Sequence, residues 1–196
     1  MKKWLILSGM LILAACSSEN GEELTIEPKK LEAEEQALVD STAMEFMEYF
    51  YLNGEFPKDY NIQLELEHYR LGEKIDPFSS MSSFPVDSFD NGLLAFGKAS
   101  DLEGHTSFVV STPAGKVVNS HEVDAQGGML SSWGGLLEDP QVLEKEQPVY
   151  AAYYASTSGQ SMESGGFLDE NGALDMMRIQ DLDHFYALAI RLVEEE

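Results

Sequence analysis

The chain has one cysteine, Cys16, in 196 residues. No disulfide can form within it, and a thiolate zinc site would need further cysteines. Whatever fold it adopts must therefore be held by an ordinary apolar core. The length allows this, since a domain of this size buries roughly two-thirds of the surface its unfolded chain exposes.

The surroundings of Cys16 set its role. Lys2 and Lys3 form a short basic segment, and Trp4 to Leu13 is an apolar run broken only by Ser8 and Gly9. A membrane span needs about twenty apolar residues, so this run has the proportions of a signal-peptide core instead. Leu13-Ala14-Ala15-Cys16 follows, with the polar Ser17-Ser18 behind it. This order resembles the lipobox of bacterial lipoproteins, over residues 1–16 only. The resemblance implies removal of residues 1–15 and a diacylglyceryl group on the Cys16 thiol. It also implies an extracytoplasmic protein anchored to the cell membrane or outer membrane through lipid on Cys16. Two acyl chains suffice for a stable anchor where one does not.

Removing Lys2 and Lys3 with the signal leaves ten basic residues against 35 acidic ones, a formal charge of −25. Such a surface repels phosphates and excludes nucleic acid as the natural partner. It suits solvation, cations or a basic protein partner.

The pattern along the chain predicts an α+β fold. Its expected form is one mainly antiparallel sheet flanked by an N-terminal and a C-terminal helix. Residues 16–30 are polar and acidic and read as a flexible tether, leaving 31–196 as a single domain. Leu31 to Leu52 reads as a helix, with Val39, Thr42, Phe46 and Phe50 on one stripe and Asn53-Gly54 as its stop. Ile62, Leu64 and Leu66 alternate with Gln63, Glu65 and Glu67, the period of a half-buried strand. Residues 76–91 read as a long loop and Leu93 to Gly97 as a strand. Thr106 to Thr112 and Lys116 to Val123 read as a hairpin around Pro113-Ala114-Gly115, pairing Thr112 with Lys116. Its apolar residues fall on both faces, which predicts a pair central in its sheet. Val149 to Ser156 reads as a further strand and 158–172 as a Gly/Ser loop. Asp181 opens a last helix, in which Leu182, Phe185, Ala189 and Leu192 share a face.

No catalytic signature stands out. Gly-x-Ser-x-Gly, a phosphate loop and His-Glu-x-x-His are all absent. In the predicted hairpin register His105 and His121 lie diagonally on one face, about 7–8 Å apart, with Asp101 and Asp124 near; a one-residue slip separates them. Asp169-Glu170-Asn171-Gly172 has acidic turn residues without the EF-hand spacing, and reads as a plain turn. No catalytic residue, metal site or cofactor is assigned. Trp133, in a glycine- and serine-rich stretch, is a candidate partner-binding residue. So are Tyr150 and Tyr154, four apart on a strand and therefore expected on one face.

Phe56-Pro57 to Tyr60, with the hairpin at Gly115-Lys116-Val117 and a closing helix, resembles the SUKH superfamily, whose members include bacterial toxin-immunity proteins. The match is to a short Leu-Pro-x-x-Tyr motif, and an alternating strand replaces the helix that usually follows it. The leading expectation is thus a non-catalytic binding lipoprotein, immunity-like in its sharpest form. The alternative is an envelope or cell-wall hydrolase that uses carboxylates.

Overall fold

The computed structural model describes residues 23–82, 86–100, 106–121 and 130–195. Among these residues eleven strands form two antiparallel sheets. In chain order come β1 (Thr25–Pro28), α1 (Ala33–Asp40), β2 (Met44–Glu55), β3 (Tyr60–Arg70), β4 (Glu73–Ser82), β5 (Ser88–Ser100) and β6 (Thr106–Thr112). They are followed by β7 (Gly115–His121), β8 (Leu130–Gly135), β9 (Gln141–Val142), β10 (Val149–Thr157), α2 (Met176–Ile179) and β11 (His184–Glu194). The six-stranded sheet runs β7-β6-β5-β2-β1-β9, and the five-stranded sheet runs β4-β3-β11-β10-β8.

The main core fills the space between the sheets. Ile26, Phe50, Leu52, Leu94, Phe96 and Phe108 come from one side, and Ile62, Leu64, Leu66, Leu188, Ile190 and Leu192 from the other. A second core lies on the outer face of the five-stranded sheet. There Phe167, Ile179 and Leu182, from the excursion between β10 and β11, cover Tyr69, Tyr153, Phe185, Ala187 and Ala189. Central strand β11 is therefore buried on both faces, which is why it shows no polar alternation.

The α+β expectation is wrong: the fold is β-rich, and among the described residues the two helices are α1, which buries nothing, and the single turn of α2, which lends only Ile179 to the outer core. The N-terminal helix shrinks to the eight residues of α1, none of them buried. Ser41 Oγ and Thr42 Oγ1 donate to the carbonyls of Leu38 and Val39, both at 2.7 Å, and end it. Residues 44–55 form β2 instead. Phe46 and Phe50, four apart, share a face in a strand as well as in a helix, and the aromatic run Phe46, Tyr49, Phe50, Tyr51 favours the strand. Gly54, at φ 110°, belongs to an irregular end of β2 where the pairing to β5 shifts register.

The C-terminal helix is strand β11. Asp175, not Asp181, caps a helix, accepting from the Met177 N–H at 3.0 Å. The tether expectation fails at 25–28, because β1 pairs with both β2 and β9 and buries Leu24 and Ile26. The folded unit thus starts before residue 31. The loop expected over 76–91 is taken up largely by β4 and β5. Phe56 to Asp59 connect β2 to β3, and no helix follows Tyr60. The β6–β7 hairpin forms one residue out of the expected register, with Thr112 opposite Gly115 and Thr106 opposite His121. β7 lies at the sheet edge rather than in its centre.

Candidate functional site

At one end of the inter-sheet space the inward positions stop being aliphatic. On β2 the inward residues include Phe46, Glu48 and Phe50; Lys98 on β5 stands opposite Phe46, and Phe96 opposite Glu48. On the facing sheet Trp133 of edge strand β8 pairs with Tyr154 of β10. Phe46 joins the two. Its ring lies 5.6 Å from that of Trp133 at 13° and 6.1 Å from that of Tyr154 at 4°. Trp133 keeps 44% of its surface exposed, whereas Phe46 and Tyr154 are buried. Sequence reasoning thus picked two members of this stack, and the tertiary structure supplies the third.

Charge surrounds the aromatics. The Lys98 side chain is nearly buried, ion-paired with Glu45 and 5.0 Å from the centre of the Tyr154 ring. The carboxylate and the ring face together offset the cost of taking an ammonium out of water. Burial alone would raise the Glu45 carboxyl, but the hydrogen bond from Lys98 holds it below its ordinary value. Glu48 behaves oppositely. It is half-buried, has no hydrogen bond or ion pair among the described residues, and burial pushes its pKa up. A Cβ built on Gly135 would lie 3.7 Å from Glu48 Oε2, so this carboxylate sits under the end of β8. Two carboxyls three residues apart on β2 are thus pushed in opposite directions.

Behind this group His68 Nε2 and His184 Nδ1 are 3.1 Å apart, and the His68 ring stacks on Tyr186 with centres 4.2 Å apart. Strand pairing brings together residues 116 positions apart, which no spacing in the sequence reveals. Among the described residues no group of three or more His, Cys, Asp or Glu is arranged to hold a metal ion. His105 and Cys16 lie outside the described residues.

Tyr150 does not join Trp133 and Tyr154. Pairing between β10 and β11 shifts register between Tyr150 and Ala152, a bulge that turns Tyr150 to the outer face. There it donates to Glu67 Oε2 at 3.2 Å. Glu67 is fully buried and also accepts from Tyr69 OH at 2.6 Å, Lys74 Nζ at 2.8 Å and Arg191. Burial alone would raise the Glu67 carboxyl, but these donors outweigh it and hold it below its ordinary value. Burial, with Glu67 beside it, pushes the Tyr150 phenol up to about 12. A donor-saturated carboxylate of this kind ties β3, β4, β10 and β11 together and has no capacity left for a ligand. Tyr150 also borders a cleft of about 470 Å³ whose wall carries Glu138, Asp139, Glu144 and Glu170. The Asp169 turn closes on itself, with Oδ1 accepting from the N–H groups of Asn171 at 2.8 Å and Ala173 at 3.0 Å.

No helix among the described residues is long and apolar enough to cross a membrane. No family model, no curated protein and no solved structure matches the chain.

Proposed function

We propose that this chain is a lipid-anchored protein of a bacterial envelope that works by binding, and that its partner is a basic protein met at the Trp133 site. The anchor reading rests on Leu13-Ala14-Ala15-Cys16 behind a short apolar run, and on Cys16 being the single cysteine. The binding reading rests above all on one observation: Trp133 is half in water yet held flat on Phe46, with Glu48 unpaired nearby. A rigid, partly exposed aromatic beside uncompensated carboxylate is the composition of a recognition site for a cationic chain. The formal charge of −23 on the whole chain adds a field that speeds the encounter.

Cys16→Ser should abolish incorporation of an alkyne fatty acid, and equal labelling of the variant would end the anchor reading. For binding, association rates of a captured basic partner should fall as salt rises, with a smaller change in dissociation rate. Trp133→Ala should weaken the complex without unfolding the protein.

One observation favours a second reading, a wall hydrolase. Glu48 sits half-buried beneath the end of β8 with its carboxyl pushed up by burial, the state that a general acid uses. Turnover of a peptidoglycan or lipid substrate that Glu48→Gln abolishes would establish that reading over the binding one.

A further inference from the structure

The two sheets have four edges, and three are guarded. β4 carries Glu73 and Lys74, and β7 carries Lys116. β9 is only two residues long. Charged side chains, proline and short length are the usual means of keeping an edge from pairing with another chain. β8 has none of them. Its sequence is Leu130-Ser131-Ser132-Trp133-Gly134-Gly135, without a charge or a proline, and among the described residues it pairs only with β10.

The polarity of its backbone can be read from the next residue. The Leu136 N–H donates to the Ala151 carbonyl on β10 at 2.7 Å. Alternate residues of a strand turn their amides to opposite sides, so Ser131, Trp133 and Gly135 direct N–H and C=O to the free edge. Both Leu130 and Trp133 are more than 40% exposed. Gly135 ends the strand beside the Glu48 carboxylate, and Glu138 and Asp139 follow directly.

We infer that β8 is an acceptor strand: an extended, basic segment of a partner protein adds to the five-stranded sheet along the Ser131–Trp133–Gly135 edge. Main-chain hydrogen bonds supply the pairing, and Trp133, Glu48, Glu138 and Asp139 select the side chains. A second copy of this chain is the poorer occupant, because it would bring another net charge of −23 to the same acidic edge. This inference rests on the binding reading above and gives it a geometry.

The test uses the purified protein and a displayed library of random peptides. Selected peptides should be rich in Lys and Arg, contain β-branched residues and lack proline. N-methylating alternate backbone nitrogens of a selected peptide should abolish binding in one phase and be tolerated in the other. Gly135→Pro removes one edge N–H and leaves the ladder to β10 intact. It should weaken binding about fivefold, the net worth of one backbone hydrogen bond. If a selected peptide tolerates N-methylation in both phases, or binds a folded Gly135→Pro variant as tightly as the parent, the edge is not the site, although binding itself survives. If no cationic peptide is selected, the binding reading falls as well. A dimer in sedimentation that Gly135→Pro dissociates would give the edge to a second copy and overturn the proposal.

Discussion

Removing the Glu67 carboxylate should destabilise the protein by an amount that the structure lets one work out. In Glu67→Ala the Arg191 guanidinium keeps Glu65 at 3.0 Å, and Lys74, 41% exposed, keeps Glu65 at 3.2 Å and reaches water. The ionic loss is therefore at the low side of what breaking a buried pair costs, about 1–2 kcal/mol after allowing for those alternatives. The buried phenols of Tyr69 and Tyr150 each lose their acceptor, at about 1 kcal/mol apiece. The total is about 3–4 kcal/mol, or a melting temperature lower by roughly 6–16 °C for a chain of this length. Glu67→Gln should cost a similar amount, because its amide N–H₂ turns a donor toward donors. The pH dependence has a definite sign. The folded-state pKa of Glu67 lies below its ordinary value of 4.5, so its contribution is fully present above that pH and is lost as pH falls through the folded value. Thermal unfolding followed by circular dichroism, for parent and variant from neutral pH downward, measures both. A loss under about 1 kcal/mol at neutral pH, or a difference between parent and variant that grows on acidification, would refute the hub.

Glu48 should behave in the opposite way. With its folded-state pKa raised by burial, its contribution is present below the unfolded value and lost as pH rises through the folded one, so Glu48→Gln should raise stability at neutral pH. Denaturant melts at two pH values test this, and a destabilised variant would count against it. Phe185 is fully buried in the outer core, and Phe185→Ala should cost about 3–5 kcal/mol, read as a shifted denaturant midpoint. Ile26→Ala in β1 should cost about 2–5 kcal/mol by the same assay, whereas a true tether would tolerate it without change. Of the two tryptophans only Trp133 remains once residues 1–15 are removed, so quenching of emission in the processed protein reports Trp133 alone and should be partial, as half-exposure requires.

Much of the strand content was legible wherever one face is wet. Ile62, Leu64 and Leu66 alternate with polar residues, and β3 follows them; the hairpin was visible from its turn at Pro113-Ala114, and β10, although buried on both faces, from a short run of β-forming residues between polar segments. Both expected long helices failed for physical reasons. β11 is covered on both sides, so HFYALAIRLVE carries no period of two and its apolar residues fit a helical face equally well. In β2 the inward Glu48 interrupts the alternation of Phe46, Phe50 and Leu52, and the remaining spacing of four imitates a helix. The residue that hid the strand is the one that marks the site.

Composition and local order by themselves carried the proposal of an anchor at Cys16, and they determined the acidic charge, a core without disulfides and the candidacy of Trp133 and Tyr154. The rest depended on contacts between residues far apart in the chain. The bulge at Ala151, which parts Tyr150 from Tyr154, is set by how β10 packs between β8 and β11. Glu67 reads as an ordinary solvent-facing position in β3, yet Arg191, 124 residues away, and Tyr150, 83 residues away, converge on it. Which edge is left open depends on which strand ends each sheet. Periodicity reports which side of a strand is apolar, but strand order follows from how two sheets bury those sides against each other, and that is a property of the whole chain.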